Sequence, residues 1–162
     1  KESWSKSSSK NAGEVSEASN VKEVKYGEHY IKGKNGRKEL KPNVTYKTPE
    51  GYIYKTDANG RIVHCEGDLD PGLAKRNKNS QKTSGREDRL SDDDGGHLIA
   101  SIFKGSGNYD NLVPMNSNLN RGEWKKLENV WKKHLVAGDT VKVKITQKYV
   151  GISLRPNEFD LQ

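Results

Sequence analysis

The stretch from Asp92 to Glu128 constrains this chain more than any other. Three aspartates and two glycines run into a single histidine, His97. Farther on, Asn116, Asn118 and Asn120 open a segment in which Trp124, Leu127, Trp131 and Leu135 recur at spacings of three and four. That period lays them on one face of a helix, expected over about Leu119 to Ala137 and stopped by Gly138. Ser117 or Asn118 is the expected N-cap. Tyr109 to Met115 reads as a short strand leading in and ending at Pro114.

The residue types suggest chemistry. A histidine can take a proton near neutral pH, and oxygen ligands suit a hard cation such as Mg2+. Together they suit attack on a phosphodiester, with His97 as general base. Gly95 and Gly96 would let the backbone approach a phosphate. Glu128 follows Asn120 by eight residues, two turns along an unbroken helix and about 80° around it. Both cannot then hold one ion directly, so Glu128 fits as a partner to the ion's water, since Mg2+ keeps several waters. Asp92, Asp93 and Asp94 cannot all face one ion from an extended segment, where side chains alternate. They are expected instead to cap a turn or to hold neighbouring arginines.

The rest of the chain sets the scaffold. With 162 residues there is room for one ordinary domain. Only 30% of residues are hydrophobic, so part of the chain is expected to be unpacked, and residues 1–24 read as a polar linker or tail. Residues 25–42 are basic and turn-rich, with no partner evident for His29. Val44-Thr45-Tyr46, Tyr52 to Lys55 and Arg61 to Cys65 read as a β-meander, with His64 structural. Asp68 to Asp93 reads as a long basic loop able to grip phosphate. Thr140 to Thr146 alternates as a strand with one wet, basic face. Tyr149 to Leu154 is expected to pair with it, and Phe159 to Leu161 to form a last edge strand. Trp124 and Trp131 are assigned to the core, and His134 to the helix C-terminus. The net charge of +7 favours a polyanionic partner. A lone cysteine, Cys65, excludes an internal disulfide framework and a cysteine zinc site. There is no apolar run of membrane-spanning length and no signal-peptide core. The sequence starts at Lys1 without Met, as an excised domain would, with any export signal lying elsewhere.

Asp94-Gly95-Gly96-His97, Asn111-Leu112-Val113-Pro114 and Leu119-Asn120-Arg121-Gly122-Glu123-Trp124 through Leu127-Glu128 resemble the DNA/RNA non-specific endonuclease family of the His-Me, or ββα-metal, finger class. Its pattern is Asp-Arg-Gly-His, then Asn-hydrophobic-x-Pro, then Leu-Asn-x-Gly-x-Trp-x-x-Leu-Glu. The flanks are similar to C-terminal toxin domains of LXG-type polymorphic toxins, which are exported by type VII secretion and neutralised by an immunity protein. The resemblance implies an α+β fold: a small antiparallel β-sheet with a ββα finger over about residues 95–137, within a nuclease domain spanning 25–162. It makes His97 the general base, Asn120 the direct metal ligand, Glu128 the partner to the metal's water and Asn111 a supporting residue.

The family's phosphate-engaging Arg is Gly95 here. Arg86 and Arg89, with Arg121 behind them, are the candidates to take over its task. The implied activity is Mg2+-dependent (or Mn2+-dependent) hydrolysis of DNA and RNA by a secreted toxin domain acting in the target cell's cytoplasm. The alternative is a degenerate module that binds nucleic acid or an immunity protein. An acidic immunity protein is expected over Arg76, Arg86, Arg89, Lys125 and Lys126.

Overall fold

Short alternating segments, each bounded by a turn, build most of this molecule. The computed structural model describes residues 3–6, 21–72 and 77–161, the first of these as backbone only. In chain order the strands are β1 (Ser3–Lys6), β2 (Lys22–Glu23), β3 (Tyr30–Lys32), β4 (Lys38–Leu40), β5 (Val44–Lys47), β6 (Ile53–Thr56) and β7 (Ile62–Asp68). Then follow β8 (Asp93–His97), β9 (Leu112–Asn116), β10 (Lys142–Lys148) and β11 (Glu158–Leu161). The helices are α1 (Lys78–Thr83), α2 (Ser117–Arg121) and α3 (Glu123–Val136). One sheet has the order β1-β11-β10-β7-β6-β5-β2, antiparallel within and carrying a short parallel strand at each margin. The fold is α+β, as expected.

Alternation decides what the sheet buries. Val44 and Tyr46 of β5, Tyr54 and Thr56 of β6, and Val143, Ile145 and Gln147 of β10 turn inward. Lys142, Lys144 and Lys148 form the wet basic face. Cys65 is fully buried, and burial pushes its thiol pKa well up, which makes it a core residue.

Against this face packs the ββα unit: the β8–β9 hairpin, with Asp93 opposite Asn116 and His97 opposite Leu112, followed by α2 and α3. Trp124 is buried edge-on against Phe159, at 5.3 Å between ring centroids, while Leu127, Trp131 and Leu135 are partly buried on the same core. Three tyrosine hydroxyls from the sheet reach into the β8–β9 connection. Tyr46 donates to the Asp110 carbonyl (2.7 Å), Tyr52 to the Phe103 carbonyl and Tyr54 to Asn111 Oδ1 (2.6 Å).

Several expectations need correcting. The helix expected over 119–137 is broken at Gly122 (φ −104°, ψ −105°), and its N-cap is Asn116, whose side chain accepts from the Asn118 N–H. Among the described residues, the basic stretch 68–93 contains α1 and the 3-10 turn Arg86–Asp88. Residues 149–154 form no strand. Arg61 captures the carbonyls of Gly151 and Ser153 and stacks on Tyr149, so this backbone closes on a side chain in place of a neighbouring strand. Within the stretch read as a tail, Ser3–Lys6 and Lys22–Glu23 are strands, and residues 7–20 lie outside the described residues.

Candidate active site

The β8 strand ends at His97, and the two elements that flank it complete a cavity of about 760 Å3. His97, Asn120 and Glu128 all line it. The break at Gly122 removes the premise of an unbroken helix between Asn120 and Glu128, and both side chains face one space. Lys78, Lys82, Arg89, Arg121 and Lys125 also line the cavity, five cationic side chains against the carboxylates of Asp94 and Glu128. A concave site of that balance favours an anionic ligand.

Asp94 organises one wall. Its Oδ2 accepts from Asn120 Nδ2 (2.9 Å) and Arg121 Nε (3.0 Å), and its Oδ1 from Arg121 Nη2 (2.8 Å). Burial pushes its carboxyl pKa up, but the bonds from Arg121 and Asn120 outweigh that and hold it below the ordinary value. With Nδ2 committed to Asp94, Asn120 keeps its carbonyl oxygen as the atom able to meet a cation. The other aspartates fix the hairpin. Asp93 binds Arg155 through both oxygens (2.7 and 2.9 Å) and accepts from the Leu90 N–H. Asp92 takes the Ser117 N–H on its carbonyl and Asn116 Nδ2 on its carboxylate. These aspartates hold arginines and turns, as their spacing suggested.

The other sequence candidates fall in different places. Asn111 is fully buried and does not line the cavity. Its amide accepts from the Ile99 N–H (2.9 Å) and Tyr54, and donates to the carbonyls of Ile99 (2.7 Å) and Ser106 (2.8 Å), so it pins the loop leaving His97. Arg89 reaches the cavity wall, with its guanidinium donating to the carbonyls of Gln81, Ser84 and Asp93. Arg86 is not brought to the cavity. It lies over the Tyr109 ring at 4.8 Å and donates to the Lys38 carbonyl, because positive φ at Gly85 and Arg86 turns the chain away. Lys126 pairs with Glu123, and Arg76 lies outside the described residues.

Sequence reasoning missed one buried network. His29, given no partner, is 1% exposed, and its Nε2 lies 2.9 Å from Asp110 Oδ2. The Gly27 N–H donates to His29 Nδ1, so Nε2 carries the proton and donates to Asp110. Tyr26 donates to the same carboxylate at 2.7 Å. The signal was present in the sequence only as a histidine among tyrosines.

A model of the DNA/RNA non-specific endonuclease family matches residues 42–162. The chain belongs to that family. Members of that family generally depend on a divalent metal. The chain is also similar to the type VII secretion system protein EssD of Staphylococcus aureus strains USA300 and NCTC 8325, with 43% identity over 159 residues to each. The match covers 94% of this chain and 26% of each relative, so the chain spans about a quarter of their length.

The cavity fits such a metal. Among the described residues no three His, Cys, Asp or Glu side chains group as ligands. An oriented amide oxygen and one nearby carboxylate are a sparse oxygen set, which suits a hard divalent cation that retains several waters.

Proposed function

We propose that this chain is a Mg2+-dependent endonuclease that hydrolyses DNA and RNA phosphodiesters from the cavity around His97. What carries the reading is that His97, Asn120 and Glu128 line one cationic cavity. His97 acts as general base: it takes a proton from water as the water oxygen bonds to phosphorus and the bond to the leaving oxygen breaks. Asn120, held by Asp94, and Glu128 would hold the ion. When bound, the ion supplies Lewis-acid stabilisation of charge on the phosphoryl oxygens. Asn111 is a positioning residue, acting through the loop that follows His97. Arg89 and Arg121 add positive potential at the cavity, and Arg121, about three-quarters exposed, stands at its rim.

The nuclease unit is taken as residues 25–162, because Tyr26 and His29 complete the network at Asp110. The likeness to a type VII secretion system protein supports export by that route, while action on nucleic acid inside a target cell and a neutralising acidic partner rest on the toxin-like flanks of the sequence alone. Such a partner would meet the cations of the cavity.

A plasmid-nicking assay with and without EDTA tests the reading, alongside His97→Ala. Loss of the general base should lower turnover by roughly 10² to 10⁴ with the fold intact. EDTA-insensitive cleavage, or near-normal turnover by His97→Ala, would remove this mechanism.

A further inference from the structure

The family's Arg position is Gly95 here, and the structure shows what took its space. A Cβ at Gly95 would stand 2.2 Å from the Gln81 carbonyl oxygen and 2.5 Å from Gln81 Cα. Both are backbone atoms of α1, so this helix can rest on β8 only where no side chain projects. The basic stretch thus becomes a wall of the cavity. Lys78 and Lys82, four residues apart on α1, share one helical face, are exposed, and line the cavity with His97 and Asn120. The arginines nearby are engaged: Arg89 with three carbonyls and Arg121 with Asp94. Lys78 and Lys82 have no carboxylate in ion-pairing distance among the described residues.

We propose that Lys78 and Lys82 are the phosphate-gripping residues of this nuclease, delivered by a helix that Gly95 admits, each neutralising one backbone phosphate of the bound strand. The assignment rests on the phosphodiesterase reading above. It places the phosphate grip on α1 and leaves Arg89 to fix that helix to β8. Lysine meets phosphate as a flexible point charge, so the grip is blind to base sequence and tolerant of strand geometry, which suits a non-specific substrate range.

The test is duplex-DNA binding across a salt series, with Ca2+ in place of Mg2+, for the wild type, the double variant Lys78→Gln/Lys82→Gln and the charge-matched control Lys132→Gln/Lys133→Gln on the exposed part of α3. Each phosphate neutralised contributes about 0.9 to the slope of log affinity against log salt. The α1 pair should therefore reduce the slope by about 1.8 and raise KM more than it lowers kcat, while the control changes neither. Thermal unfolding of both variants checks that the fold is retained, and the single variants Lys78→Gln and Lys82→Gln, each expected to lose half the slope change, serve if the double does not fold. A wild type that cuts DNA, with an unchanged slope in the α1 variants or an equal change in the control, overturns the assignment and leaves the nuclease standing. A wild type that neither cuts nor binds overturns the nuclease reading and this inference with it.

Discussion

Replacing His29 by Ala should destabilise the protein severely, although His29 lies outside the cavity. The substitution removes the Nε2–H donor to Asp110, a carboxylate that is 1% exposed. A hydrogen bond to a charged group contributes about 1.5–3 kcal/mol. The ring also stacks on Tyr26 at 4.6 Å and packs on Tyr46 at 4.5 Å, and aromatic contacts add roughly 0.5–1.5 kcal/mol. The expected loss is about 3 kcal/mol, or a fall of roughly 1–3 M in the urea midpoint for m-values of about 1–3 kcal/mol/M. Urea unfolding followed by tryptophan fluorescence reads it, with Trp124 buried against Phe159 as a core reporter. The pH dependence has a defined sign. Burial pushes the Asp110 carboxyl pKa up, but hydrogen bonds from His29, Tyr26 and Ser106 outweigh this and hold it below its ordinary value. A carboxyl with a depressed folded pKa stabilises fully above the ordinary carboxylate range and loses that contribution as pH falls through the folded value. The difference between wild type and variant should therefore narrow toward acid. A loss under about 1 kcal/mol with unchanged m, or a difference that widens in acid, would refute this account of Asp110.

Gly95→Ala should force α1 off β8, costing about 1–3 kcal/mol by overpacking and weakening DNA binding beyond that loss; melting temperature and a binding titration measure the two. Asp94→Asn should raise the Mg2+ concentration needed for half-maximal rate roughly 10–100-fold by loosening Asn120, as read from rate against Mg2+. Asn120→Ala should raise that requirement more than it weakens DNA binding in Ca2+, and equal losses in both assays would make Asn120 only a structural part of the helix start.

The meander was legible because β5 and β6 alternate and the three strands are separated by Gly-containing turns, and the β8–β9 motif because its residues are local in sequence. The helix α1 was not. Its sequence, Lys-Asn-Ser-Gln-Lys-Thr, has no apolar period, and its one buried residue is Ser80. What fixes it is tertiary: the bare backbone at Gly95 and the Arg89 guanidinium. The break at Gly122 was hidden within a continuous apolar pattern. At the candidate site, His97, Asn120 and Glu128 could be named from the motif, and the three do line one cavity. Arg86 could not be placed, because charge along a chain says nothing of which way a loop turns. The His29–Asp110 pair, 81 residues apart, left no local trace.

The hydroxyls of Tyr46, Tyr52 and Tyr54 bear on when the molecule becomes active. Each crosses from the large sheet to the backbone or amide of the segment joining β8 to β9. The connection that follows His97 is therefore tied to the sheet, and its local opening free energy is coupled to that of the sheet. Native-state hydrogen exchange should show the amides of Leu98 and Ile99 opening together with those of β6 and β10. A chain that has not yet closed its meander lacks the three bonds that hold the segment after His97, so the candidate site is complete only once the sheet has formed.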